Sequence, residues 1–121
     1  MPVTLNSISY SNGTLSLSSL NTETTVFSYS GGQTDAIIEG YISMQNMQKG
    51  DITIVNVYIT VDGTNYYLFL KHVIIGPPDM PIVRIHTLQI PPGMGIKVTI
   101  NQITGTVRSY PYYFITQVLS A

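Results

Sequence analysis

The chain has no cysteine and no tryptophan. The first absence excludes a disulfide framework, a thiolate nucleophile and every cysteine-based metal site. The second removes the ring most used as a sugar-stacking shelf. Charge is scarce as well: Asp, Glu, Lys and Arg make up 9% of 121 residues, against roughly a quarter in an average soluble protein. The five cations, Lys49, Lys71, Arg84, Lys97 and Arg108, are scattered along the chain. A surface that tracks phosphates needs clustered Lys and Arg, so nucleic acid is not expected as a partner. No apolar run approaches the ~18 residues of a membrane span. No window repeats apolar residues at i, i+3, i+4 and i+7 between caps, so no helix is expected. The N-terminus lacks a basic segment followed by an apolar one. With its initiating Met, it reads as a chain made in a cytoplasm without a signal peptide.

What remains is 44% hydrophobic residues in short β-branched and aromatic runs, broken by Gly, Pro, Asn and Asp. This predicts an all-β fold: a single antiparallel β-sandwich over residues 1–121 with about eight to ten short strands, jelly-roll-like or immunoglobulin-like. "DAIIEGYISMQNM" (35–47) alternates, with Ala36, Ile38, Ile42 and Met44 on one face and Glu39, Tyr41, Ser43 and Gln45 on the other. "IKVTINQI" (96–103) places Ile96, Val98 and Ile100 inward. In "IVRIHTLQI" (82–90), Val83 and Ile85 point in, followed by Leu88 and Ile90. The last strand, expected after a break at Pro111, is ambiguous, because Tyr113/Ile115 and Phe114/Val118 both qualify as its inner face. At the N-terminus, Asn12-Gly13 is a two-residue hairpin signal. Residues 1–22 therefore read as an N-terminal hairpin, serving either as edge strands or as an arm on a neighbouring subunit.

The most legible stretch is "YITVDGTNYYLFLK" (58–71). A two-residue turn at Asp62-Gly63 pairs Ile59 with Tyr66, Tyr58 with Tyr67 and Asn56 with Phe69. Directly opposed residues share a face. Tyr66 then joins the Val/Ile/Leu core face, and Tyr58, Tyr67 and Phe69 lie together on the other. With Tyr41, these are the candidate interface or ligand-binding residues. Nine tyrosines in so short a chain favour surfaces that are half wet, since the ring offers apolar area and the hydroxyl a hydrogen bond.

Chemistry is not legible. His72 and His86, the only imidazoles, fall on successive predicted strands, but a zinc site needs three or four ligands. The acids sit mainly in turns, where Asp is explained by turn chemistry; Glu39 is mid-strand, on the outward face. No nucleophile elbow and no paired carboxylates across a cleft are present. "NGT" (12–14) matches a glycosylation sequon as a bare motif. No catalytic residue, metal or cofactor is expected, and no enzymatic activity.

From Asp35 to Leu119 the order of strands and turns resembles the small β-sandwich structural proteins of virions: capsid decoration, minor capsid and tail or fibre proteins of viruses of bacteria and archaea. "DAIIEGYISMQNM", "YITVDG", "YYLFLKHVII", "LQIPPGMGIKVTI" and "GTVRSYPYYFITQV" carry the resemblance. It implies a non-enzymatic, self-associating subunit located in the virion, partnered by copies of itself and by other virion proteins. The richness in Ile and Tyr and the lack of Cys suit a virus of a thermophilic archaeon. The competing reading is a carbohydrate-binding or adhesin module that stacks glycans on Tyr58, Tyr67 and Phe69.

Overall fold

The computed structural model describes residues 4–120, and they form eight strands. These are β1 (Leu5–Ser16), β2 (Thr24–Ser30), β3 (Ala36–Ser43), β4 (Ile52–Thr60), β5 (Tyr67–Ile75), β6 (Ile82–Ile90), β7 (Gly95–Thr104) and β8 (Ser109–Leu119). They pair antiparallel into two four-stranded sheets, β1-β8-β3-β6 and β2-β7-β4-β5. Only β4 and β5 are joined as a hairpin within one sheet; every other connection crosses between sheets. This order is the jelly roll, which settles the choice left open against the immunoglobulin arrangement.

The alternations read from the sequence become the core. Ile38 and Ile42 of β3 and Ile96, Val98 and Ile100 of β7 are fully buried. Between the sheets, Phe27 of β2 stacks on Phe114 of β8 with ring centres 4.5 Å apart. The inner face of β8 is therefore Phe114 and Val118, together with a fully buried Tyr110, while Tyr113 is exposed. In β6 a bulge opposite Glu39 lets Ile85 and Leu88 both point inward although they are three residues apart.

One end of the core is closed by a polar knot. Thr53 Oγ1 lies 2.7 Å from the Tyr110 hydroxyl, which donates to Gln102 Oε1 at 2.9 Å. The Gln102 amide donates to the carbonyls of Thr104 and Thr106, so a wholly buried side chain is satisfied. Beside it the buried Asp51 holds Arg108 at 2.7 Å and caps the N–H groups of Gln48 and Thr106. Burial pushes the Asp51 carboxyl up, but Arg108 and these N–H groups outweigh it and hold the group below its ordinary value.

Four expectations are corrected. Asn12-Gly13 makes no hairpin. β1 runs straight through it beside β8, from Leu5↔Leu119 to Ser16↔Ser109, and Gly13 is not among the positive-φ glycines. Gly13 makes room instead, since a Cβ there would approach the Tyr112 hydroxyl to 3.3 Å. Pro111 does not break the last strand. It lies beyond the final β3–β8 pair, Ile42↔Tyr112, so its missing N–H costs that ladder nothing. The Asp62-Gly63 turn is longer than two residues, because the Asp62 carboxylate accepts the N–H groups of Thr64 and Asn65, both at 2.8 Å, and organises a wider loop. The observed pairs are Ile59↔Tyr67, Tyr58↔Leu68 and, across a bulge, Val57↔Leu70. Finally, Tyr66 is not core: it lies in this loop with the Lys97 ammonium 5.5 Å from its ring centre.

Candidate functional site

The two outer sheet faces hold the features that are not explained by the core. On the first sheet, register aligns Tyr113 of β8 with Tyr41 of β3, and Tyr41 with Arg84 of β6. Tyr10 of the edge strand β1 meets Tyr113 edge to face at 5.8 Å and is 57% exposed. Between Tyr41, Ser43, Ile82, Pro111, Tyr112 and Tyr113 lies an open, largely apolar groove of about 260 Å³. Beside it Glu39 is fully engaged. Thr87 Oγ1 donates to it at 2.6 Å, the Tyr41 hydroxyl at 2.5 Å, and Arg84 lies 3.3 Å away. These donors, Thr87 foremost, pull the Glu39 carboxyl down to about 2. Bonded to the same carboxylate, the Tyr41 hydroxyl is raised.

On the second sheet a polar cluster covers β7 and β4. Glu23 accepts from Thr99, from the Tyr58 hydroxyl at 2.6 Å and from Asn56 at 3.4 Å. Lys97 lies 5.3 Å from the Tyr58 ring centre, a cation–π distance. Desolvation raises the Glu23 carboxyl, but the three donors and Lys97 leave it lowered overall. β5, at the edge of this sheet, is different. Leu70 and Ile74 pack inward, while Tyr67, Phe69, Val73 and Ile75 are each more than half exposed.

The four sequence candidates are thus dispersed. Tyr41 lies on the opposite sheet from the other three. Tyr58 and Tyr67 oppose different partners, Leu68 and Ile59, and Tyr58 is tied to Glu23 and Lys97. Tyr67 and Phe69 remain open to solvent. The shared platform expected of Tyr58, Tyr67 and Phe69 depended on a two-residue turn and does not form. What sequence reasoning passed over is β5 as a whole. "YLFLKHVII" is apolar at both parities, a pattern usual in strands covered on both faces, yet here it is an uncovered edge.

The two histidines do not meet. β5 and β6 belong to different sheets, so His72 and His86 are not strand neighbours. His72 Nε2 is buried without a partner, and His86 is exposed. Among the described residues no three His, Asp or Glu gather as metal ligands, and no helix is long and apolar enough to cross a membrane.

No protein-family model and no curated protein matches the chain. Among solved structures it is similar to the VP2 subviral particle of infectious bursal disease virus, at 14% identity and a TM-score of 0.48, over 93% of this chain and 32% of that one. It is also similar to the structure of the Gt strain of that virus, at 12% identity and a TM-score of 0.47, over 98% of this chain and 32% of that one. The chain thus spans about a third of the length of the chains it matches. These structures give no support to the expected bacterial or archaeal host.

Proposed function

We propose that this chain is a non-enzymatic structural subunit of a virus particle, a self-associating capsid, decoration or tail/fibre component. The observation that carries the reading is the amount of large apolar side chain left in water on both sheets. Tyr10 and Tyr113 stand on one, and Tyr67, Phe69 and Ile75 on the other, on a charge-poor surface. Soluble monomers rarely leave such patches uncovered, and a charge-poor surface offers little repulsion between copies. The carboxylates that might have done chemistry, Glu23, Glu39 and Asp51, are engaged by donors of their own chain. Eight-stranded jelly rolls recur in viral capsid domains, and in lectin domains too, so the topology accommodates this role without dictating it.

The test is the native mass by sedimentation at micromolar concentration, combined with mass spectrometry of purified particles. An oligomer that is also found in particles supports the reading. A strict monomer absent from particles overturns it. Glycan-array binding that is lost on Tyr67→Ala, with no change in mass, would establish the adhesin reading instead.

A further inference from the structure

We infer that two copies of this chain associate through their β5 edges, pairing antiparallel about a two-fold axis at His72. The inference rests on the self-associating reading above and specifies its first contact.

β5 pairs with β4 on one side and, among the described residues, with no strand on the other. Its nine residues carry one charge, Lys71, no proline, and one bulge, at Phe69, outside the stretch Leu70–Ile75. Long apolar edges of this kind are templates for another strand, and natural proteins usually blunt them with charge, proline or bulges. The other edges are less suited. β1 presents mostly Ser, Asn and Thr, β2 is shorter, and β6 exposes one large apolar side chain, Ile82, against five on β5.

The exposed side chains supply part of what a pair buries. Tyr67, Leu68, Phe69, Val73 and Ile75 are 71%, 53%, 56%, 57% and 68% exposed. Of these, Phe69, Val73 and Ile75 fall within the paired stretch and supply, at roughly 100 Å² each, at most ~300 Å² of the ~800 Å² that a standard interface buries per partner. The added strand's main chain and the aliphatic stem of Lys71 add to it.

The register follows from parity and charge. Opposed residues share a face, so a two-fold axis must pass through a residue of β5. An axis at Lys71 sets two ammonium groups against each other. An axis at Leu70 leaves Ile74 and Ile75 opposite positions outside the strand. An axis at His72 pairs Phe69 with Ile75, Leu70 with Ile74 and Lys71 with Val73, sets the two His72 rings opposite each other, and leaves only Tyr67 and Leu68, beyond the bulge, opposite Pro77 and Gly76. This covers the stretch Leu70–Ile75 that runs in unbroken register against β4. Pairing would stop at Gly76-Pro77, where proline has no N–H to donate.

Because the chain contains no cysteine, cross-linking reads the register directly. Lys71→Cys and Val73→Cys chains, mixed and oxidised, should form a disulfide-linked pair in higher yield than either variant alone. Opposed residues in an antiparallel pair fall within disulfide reach. Val73→Lys places a lysine opposite the partner's Lys71 twice per dimer and should weaken dimerisation by roughly tenfold. Val73→Glu should weaken it much less, with the gap between the two variants narrowing at high salt. Both side chains point to solvent in the monomer, so folding is retained. Efficient self-linking of Lys71→Cys alone, or equal dimerisation by the two charge variants, overturns the inference. If the unmodified chain is oligomeric and no β5 cross-link forms, the edge assignment fails while the structural role stands. If the chain is monomeric, the edge assignment fails, and the structural role fails with it when the chain is also absent from particles.

Discussion

Gly40 sits under the ring of Phe114, where a Cβ would lie 2.2 Å from two ring carbons. No rotamer of a packed phenylalanine absorbs that overlap, and Phe114 is also held by its stack on Phe27. Gly40→Ala should therefore destabilise the fold by about 3 kcal/mol, at the upper end for overpacking, read as a lower urea midpoint with unchanged slope. Tyr110 makes a converse case, because its hydroxyl is buried and bonded on both sides. Tyr110→Phe keeps the ring but leaves Thr53 with one partner fewer in a dry site. A loss of about 1–2 kcal/mol is expected by thermal or urea unfolding. The carboxylates set the acid response. Glu39 is lowered from 4.5 to about 2, and Glu23, Asp51 and Asp62 are lowered as well. A group depressed in the folded state contributes stability above its unfolded value and loses it as pH falls through the folded one. Tm should thus decline from about pH 4.5 toward about pH 2. Glu39→Gln should flatten the curve, and added salt should reduce the effect of this partly exposed group.

At the scale of elements, connections decide what periodicity leaves open. Asp62 holds the β4–β5 loop through Thr60, Thr64 and Asn65. Asp62→Ala should lower Tm, and Asp62→Asn should retain part of the loss, since it can still accept from the backbone. The strands themselves were legible where one face is core and the other is not, as in β3 and β7. Both alternate cleanly, and both are buried on the side that the alternation names. β6 was legible despite its bulge, because the apolar positions Val83, Ile85, Leu88 and Ile90 were read one by one. β8 was not, because it carries rings and aliphatics at both parities. β1 was misread for another reason. Asn-Gly favours a type I′ turn locally, but pairing along the whole of β8 outweighs that preference.

At the scale of the molecule, surface composition governs association. An apolar interface between charge-poor copies should respond weakly to sodium chloride, whereas excluded salts such as sulfate should strengthen it. Sedimentation across a salt series checks this, and a steep loss of mass with sodium chloride would point to an electrostatic contact instead. The candidate surface was only half visible beforehand. Tyr67 and Phe69 follow from the sequence only if the turn is two residues long. Tyr58 was grouped with them, although its hydroxyl lies against Glu23, more than thirty residues earlier in the chain.

The sequence by itself determined the class of fold and most of the core, because β-branched alternation is a local property and burial of one strand face follows from it. It also set the poverty of charge and the absence of cysteine. Sheet order, register and neighbours across the sandwich are non-local, and only the tertiary structure decided them. It placed β5 at an edge rather than in a sheet interior, set Tyr41 on the opposite sheet from Tyr67, and drew Tyr58 into a polar cluster. The physical reason is that strand pairing joins residues far apart in the chain, and no periodicity within a strand records which partner it will meet.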